Sequence, residues 1–315
     1  MNAISTRTAV LAAIVVFGML SIVVSARQAA PQGPTRASLN ATNIEKVREN
    51  LYVITGSSIS NMDAFSGGNT AVLVTNAGVV LVDTKLPGWG KPIIDRIKAV
   101  TDKPITTIIN THSHDDHTGS NDFFGASVET IVHENTRTNM TRMDAFSGEK
   151  AKFLPKRTYK DKLSLGSGKD QIDLYYLGVG HTNGDTFVVF PALRVMHTGD
   201  MFAWKALPYI DTSNGGSVVA HADTLRKAVS TIQNVDTVIT GHTPVLTWNE
   251  LREYADFNGD FVSWAREQIK AGKAVGDAAA EYRVPEKYKG YSISPNPQLG
   301  DAKANVEIVY KELKK

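Results

Sequence analysis

The sequence of 315 residues contains no cysteine. Disulfide bonds, cysteine-ligated zinc and a thiol nucleophile are therefore all excluded. An excess of charge of one sign is also lacking, because 34 lysine and arginine residues nearly balance 32 aspartate and glutamate residues. No basic stripe is visible either, so we expect no nucleic-acid partner. The sequence also shows no repeat of solenoid period. What remains is a chain long enough for one large globular domain or two small ones.

The first 26 residues have the composition of an export signal. Arg7 supplies a positive charge, residues 9–24 form an apolar run, and Val24-Ser25-Ala26 offers the small residues that a signal peptidase requires. We predict a signal peptide over residues 1–26, a flexible leader over 27–42, and an exported protein that is periplasmic or secreted. The alternative is an uncleaved anchor, because the apolar run is slightly long, and only this alternative predicts stable membrane association.

Beyond the leader, short apolar strands alternate with amphipathic helices. Most strands are apolar on both sides, so helices are expected to cover the sheets and the fold class is α/β. The segment Thr247-Trp248-Asn249-Glu250 matches a capping box and opens a helix reaching about Ala271. We therefore divide the chain into a main domain over residues 43–248 and a C-terminal helical extension over 249–315, packed on the same domain.

The densest polar cluster is His112-Ser113-His114-Asp115-Asp116-His117, which follows an apolar stretch over residues 104–110. His112 and His114 alternate by two, so an extended backbone points both side chains the same way. Asp116 and His117 follow where the chain turns and can face the same point from another side. Imidazole and carboxylate groups together are ligands of zinc and its neighbours in the first transition row.

Three further polar residues follow strands or turns, and each comes directly after a glycine. They are His181, Asp200 and His242. Glycine permits a sharp turn and a close approach of the backbone. We expect these loops to converge with the histidine cluster at one edge of the fold.

The order of these motifs resembles that of the metallo-β-lactamase-fold hydrolase superfamily. The resemblance covers roughly residues 43–248 and rests on five motifs: the strand ending in Asp83, the cluster at 112–117, Gly180-His181-Thr182, Thr198-Gly199-Asp200 and Gly241-His242. It implies a four-layer αββα sandwich with two metals at one edge of the β-layers. Zinc is the expected metal, with iron or manganese possible.

The resemblance also implies roles for these residues. The expected ligands are His112, His114 and His181 for the first metal, and Asp116, His117 and His242 for the second. Asp200 would bridge both metals, and a bridging hydroxide oriented by Asp116 would attack the substrate. Asp83 would stand behind the ligands and accept an imidazole N–H, its alternative being a plain turn carboxylate.

Outside the ligand set, several residues are predicted near the substrate. They are Met62 and Phe65 on a loop over residues 56–68, Trp204 opposite them, and His221 near the start of a helix. The alternative for the loop residues is ordinary packing on the domain. His197 lies inside an apolar strand and His133 begins a helix, so both are predicted to be structural.

Asp200 guides the choice among reactions on a small-molecule substrate. In the family that the chain resembles, true β-lactamases usually have cysteine or serine here, whereas esterase-, lactonase- and thioesterase-like members have aspartate. We therefore predict an exported dinuclear-zinc hydrolase of an ester, lactone, thioester or related bond. The alternatives are a β-lactamase-like amide hydrolase, a persulfide dioxygenase-like oxidoreductase with one iron, and a non-catalytic periplasmic metal-binding protein.

Overall fold

A computed structural model describes residues 33–56, 59–294 and 302–314. The predicted signal peptide lies outside the described residues, as does the first part of the predicted leader. Within the rest of that leader, Arg36–Ala41 form a helix (α1), whose first turn is capped by the side chain of Thr35. The guanidinium of Arg96 donates to the carbonyl oxygens of Leu39 and Thr42 and ties this helix to the domain.

Two mixed β-sheets form the centre of the domain. The first contains β1 to β7 in sequence order: Ile44–Arg48, Leu51–Ile54, Thr70–Val74, Val79–Val82, Ile105–Ile109, Glu129–His133 and Arg157–Tyr159. The second contains β8 to β13: Lys162–Leu165, Ile172–Tyr175, Phe187–Phe190, Val195–His197, Thr237–Ile239 and Leu246–Thr247. The pairs β4–β5, β5–β6, β6–β7 and β11–β12 are parallel, and the other pairs are antiparallel.

Helices lie outside the two sheets. Those after α1 are, in order, α2 Gly90–Ile97, α3 Asp115–Thr118, α4 Glu134–Met140, α5 Val218–Thr231, α6 Trp248–Lys270, α7 Val275–Glu281 and α8 Ala302–Leu313. Among the helices of the described part of the chain, none is both long and apolar enough to cross a membrane.

Alternation of side chains along the strands builds four layers. In the first sheet, Leu73 and Val82 point toward the second sheet and pack with Val188 and Ile239. The neighbouring positions of the same strands point outward and pack beneath α2. The outward face of the second sheet packs beneath α5, α6 and α8. The predicted αββα sandwich is therefore confirmed, and it follows from strands that are apolar on both faces.

The helix that the sequence predicts to open at residues 247–250 and to reach about Ala271 spans Trp248–Lys270. The capping box is confirmed, since the Thr247 side chain accepts from the Glu250 main-chain N–H and the Glu250 carboxylate accepts from the Thr247 N–H. The helix near whose start the sequence places His221 begins at Val218, because the Ser217 hydroxyl accepts from the N–H of Ala220 and caps it. Strands β7 and β13 were not predicted, because three and two residues are too few to show a period.

The sheet topology places the polar motifs together. Strands β4 and β5 are parallel, so Asp83 and the histidine cluster follow them at the same edge of the first sheet. Strands β11 and β12 are also parallel, so Asp200 and His242 follow them at one edge of the second sheet. The loop that carries His181 enters β10 at that edge, because β10 runs antiparallel to β11.

Candidate metal centre

Seven side chains meet at this edge of the sandwich, and their ligand atoms form three overlapping groups. The groups are His112, His114 and His181; His112, His117 and Asp200; and Asp116, His117 and His242. Within each group, one ligand atom from each residue lies within 4.8 Å of the others. The structure therefore brings together every residue that was predicted as a metal ligand.

The first group consists of three imidazoles from two loops. His114 Nδ1 lies 3.0 Å from His181 Nε2, so these two nitrogens face one point. The Nε2 atom of His112 is buried and has no hydrogen-bond partner in the described structure. A buried nitrogen lone pair without a partner is costly, and coordination of a cation removes that cost. The three nitrogens are therefore a suitable donor set for zinc.

The last of the three groups, Asp116, His117 and His242, combines two imidazoles with a carboxylate and is called the second group from here on. His117 Nε2 lies 3.3 Å from His242 Nε2, and Asp116 Oδ2 lies 3.3 Å from the same His242 nitrogen. His117 is buried on the short helix α3, whereas the Asp116 side chain is 20% exposed. Asp116 is thus the ligand candidate of this group that is accessible to a substrate.

Asp200 lies between the two groups. Its Oδ2 is 3.8 Å from His181 Nε2 and 3.2 Å from His242 Nε2, while its Oδ1 is 3.3 Å from His117 Nε2. A Cβ atom on Gly241 would lie only 2.0 Å from Asp200 Oδ1, so glycine is needed where the chain that leaves β12 passes this carboxylate. One carboxylate therefore reaches both groups, as a bridging ligand must.

In each histidine of the first group, the ring nitrogen that is not the candidate ligand atom lies within hydrogen-bond distance of another group. The Thr111 hydroxyl lies 3.0 Å from His112 Nδ1, and the carbonyl oxygen of Tyr209 lies 2.7 Å from His181 Nδ1. Asp211 Oδ2 lies 2.8 Å from His114 Nε2. Such partners fix the orientation of a ligating imidazole and raise its basicity.

Asp83 has the position that the sequence predicts for a carboxylate behind the ligands. Its Oδ2 accepts from His117 Nδ1 at 2.7 Å and from the Thr111 hydroxyl at 2.8 Å, and its Oδ1 accepts from the Thr111 main-chain N–H. Its backbone is left-handed, with φ of 66°, which is uncommon for a non-glycine residue. The corresponding carboxylate for His114, Asp211, was not predicted, because it lies 97 residues from its partner.

The pKa values of the buried histidines in the centre shift in different directions. Burial, reinforced by the neighbouring histidines, holds the pKa of His112 well below its usual value, and burial lowers the pKa of His181 to about 4. Both rings are therefore neutral at pH 7, as ligation requires. Burial also opposes protonation of His117, but Asp200, Asp116 and Asp83 outweigh it and raise its pKa well above the usual value. The surroundings of His117 thus favour a nearby positive charge, which a cation supplies.

A cavity of about 290 Å³ opens directly onto the centre. Five polar residues and an apolar wall line it. The polar residues are His114, Asp115, Asp116, Asp200 and His242, and the apolar wall consists of Ile59, Phe65, Leu86, Trp204 and Tyr209. Phe65 and Trp204 thus lie where the sequence predicts. Ile59, Leu86 and Tyr209 were not predicted, because single apolar residues in loops carry no periodic signal.

Two predicted substrate contacts do not line this cavity. His221 was predicted at the cleft, and this is wrong: its side chain is fully buried, its Nε2 lies 3.2 Å from the carbonyl oxygen of Met201, and its ring contacts Tyr254 edge to face. It lies on the face of α5 that packs against the core. Met62 is 55% exposed and is not among the residues that line the cavity.

The other two histidines are structural, as predicted. The His133 ring accepts the N–H of Asn135 and caps α4. His197 is buried within β11, where its Nε2 lies 3.2 Å from the carbonyl oxygen of Asn69.

Comparison with known proteins agrees with this geometry. A family model described as the metallo-beta-lactamase superfamily matches residues 64–245. A metallo-beta-lactamase type 2 of Elizabethkingia meningoseptica is 31% identical over 207 residues, which are 63% of this chain and 78% of that protein. Metallo-beta-lactamase IND-1 of Chryseobacterium indologenes is 26% identical over 204 residues, or 62% of this chain and 80% of the relative.

Solved structures show the same fold. A metallo-beta-lactamase from Pontibacter korlensis superposes with a TM-score of 0.60 at 18% identity, over 69% of this chain and 99% of that one. The family match covers the cavity wall from Phe65 onward and every residue of the candidate centre, and the members of this family are metal-dependent hydrolases. The chain therefore belongs to the metallo-beta-lactamase superfamily and is a metal-dependent hydrolase.

Proposed function

We propose that the chain is a dinuclear zinc hydrolase that cleaves uncharged esters, lactones or thioesters. The position of Asp200 carries this proposal, because its two carboxylate oxygens reach ligand candidates of both groups. His112, His114 and His181 would hold one ion, and Asp116, His117 and His242 the other. When bound, two such ions act as Lewis acids and lower the pKa of a water molecule toward neutrality.

The residues of the chain supply positioning and proton transfer. Asp116 and Asp200 both line the cavity, but the side chain of Asp116 is 20% exposed and that of Asp200 only 7%. We assign Asp116 as the group that orients the attacking water and accepts its proton, which then passes to the leaving oxygen or sulfur. Asp83 and Asp211 keep the rings of His117 and His114 oriented during turnover.

The cavity wall supports an uncharged substrate. None of its ten described residues is lysine or arginine, and one more carboxylate, Asp115, lies beside those of Asp116 and Asp200. A β-lactam antibiotic carries a carboxylate next to its scissile amide, and the described residues that line the cavity include no lysine or arginine to pair with that group. The aromatic side chains of Phe65 and Trp204 instead suit an acyl or alkyl arm.

A β-lactamase is the second candidate, because the relatives named above are metallo-beta-lactamases. We expect kcat/KM to be at least about a hundredfold higher for a p-nitrophenyl ester or an alkyl lactone than for a chromogenic β-lactam, a difference of roughly 2.7 kcal/mol. Steady-state kinetics on all three substrates with the zinc-loaded protein test this expectation. Faster hydrolysis of the β-lactam would reverse the assignment.

Replacing Phe65 with alanine is expected to impair binding of the apolar arm. KM for p-nitrophenyl octanoate should rise about tenfold, because apolar contact with the long chain is lost, while KM for the acetate stays unchanged. Phe123→Ala provides the control, since Phe123 is a surface phenylalanine, 51% exposed, that does not line the cavity. Equal effects on both esters would exclude Phe65 from the substrate site.

We also propose, from the composition of residues 1–26, that the protein is exported and cleaved after Ala26. N-terminal sequencing of the protein from the periplasm or medium should begin at Arg27. Recovery of an exported chain that still begins at Met1 would favour the uncleaved anchor.

A further inference from the structure

Lys85 is a buried cation that the proposed reaction does not use. Its side chain is completely buried, two residues after Asp83. Its ammonium bonds to two main-chain carbonyl oxygens rather than to a carboxylate, and it lies 5.9 Å from the centre of the Trp89 ring. Burial lowers the pKa of Lys85 to about 7, which reflects the cost of placing an ammonium here.

The two carbonyl oxygens belong to the two ends of one loop. Nζ of Lys85 lies 2.9 Å from the oxygen of Thr55 and 2.7 Å from the oxygen of Gly68. Thr55 follows β2 and Gly68 precedes β3, so the bonds close the base of the segment over residues 56–68, here called the site loop. The main chain of Lys85 also takes part, since its oxygen accepts from the N–H of Gly119 at the end of α3.

The site loop carries part of the apolar wall over the metal centre. Ile59 and Phe65 line the cavity, and the Phe65 ring lies 5.7 Å from the ring of His242. At the end of the loop, a Cβ atom on Gly68 would lie 2.3 Å from the His117 ring, so the backbone there rests directly against a ligand candidate. A shift of this end of the loop would move both the wall and that ring.

The local backbone indicates that a structural requirement holds Lys85 here. Its φ is 60°, and Asp83 has φ of 66°, so two non-glycine residues of this turn are left-handed. Such conformations persist only where the surroundings enforce them, and they cluster at functional sites. A methionine of similar length would fill the same space without the desolvation cost, but it would leave the two carbonyl oxygens without their donor.

We propose that Lys85 is a positioning residue: its ammonium, bound to the carbonyl oxygens of Thr55 and Gly68, fixes the site loop and thereby the apolar wall that selects the substrate. The choice of ester probes below rests on the proposed function, whereas the position of the loop does not. Lys85 itself contacts neither the cavity nor the candidate ligands' nitrogen and carboxylate atoms.

The test compares Lys85→Met with Lys91→Met in the full zinc-loaded chain. Lys91 is an exposed lysine on α2 that pairs with Asp95, so its loss removes a charge without touching the loop. In Lys85→Met, hydrogen exchange measured by mass spectrometry should accelerate at least about tenfold in peptides from residues 56–68 and stay unchanged in α6. The ratio of kcat/KM for p-nitrophenyl octanoate over acetate should fall about tenfold through KM.

Unchanged exchange in the site loop, or acceleration spread evenly over the chain, would overturn the proposal. If Lys85→Met does not fold, Lys85→Gln replaces it in the test, because the glutamine side chain retains an N–H donor. Accelerated hydrogen exchange in that variant should be confined to the same loop. Acceleration spread uniformly over the chain would equally overturn the proposal. Failure of the wild-type protein to hydrolyse either ester would refute the proposed function alone, because hydrogen exchange still decides the role of Lys85.

Discussion

Replacing His112 with alanine is expected to abolish hydrolysis and to lower the bound metal. Its buried Nε2 has no hydrogen-bond partner among the residues that the structure describes, and it faces the other imidazoles of the first group. Loss of a residue that merely orients a ligand typically costs 10–100-fold in metal affinity or activity, so loss of a ligand should cost about a thousandfold or more. Metal analysis and kcat/KM for one ester measure both effects.

His133→Ala is the matched control for this substitution. His133 is also a buried histidine, but it caps α4 and stacks on Tyr176 away from the centre. The control should retain its metal and activity, while His181→Ala should behave like His112→Ala. Full metal content with retained activity in His112→Ala would refute the ligand assignment.

The second large effect separates the two carboxylates of the centre. Asp200→Ser should leave a protein with one metal and weak activity, because the shared negative charge that offsets repulsion between two cations is removed. Asp116→Asn keeps the shape and a carbonyl oxygen but loses the proton acceptor. It should retain more metal and lower turnover by about a hundredfold or more, the size of effect typical of a lost acid–base group.

Metal content and turnover of one ester, measured for both variants, decide between these roles. Wild-type affinity for two metals in Asp200→Ser would mean that Asp200 does not bridge. If both variants lose metal and activity in parallel, the two carboxylates do not have the different roles proposed here. The assignment of both residues to the metal centre would still stand.

The sequence identified those parts of the centre that follow strand ends. Asp83 and the cluster at 112–117 come directly after apolar strands, and Asp200 and His242 each follow a strand and a glycine, so their convergence could be inferred from topology. Strands that are apolar on both faces likewise predicted the helices that cover the sheets. These features depend on short-range patterns that one sequence displays.

The features that were not predicted depend on contacts between distant segments. Asp211 holds His114, and Lys85 binds the carbonyl oxygens at both ends of the site loop, but neither residue lies in a pattern that marks its partner. His221 was misplaced for a related reason. Its position near a helix start is compatible with the cleft or the core, and only packing against Tyr254 decides between them.

The metal content of the wild-type protein tests the central claim most directly. The full chain, purified without chelators and titrated with zinc, should bind two zinc ions, and ester hydrolysis should reach its maximum only after the second ion has bound. Elemental analysis by mass spectrometry combined with activity at each step measures both quantities. The account would be contradicted by a protein that contains one iron ion per chain, consumes oxygen during turnover and does not hydrolyse esters.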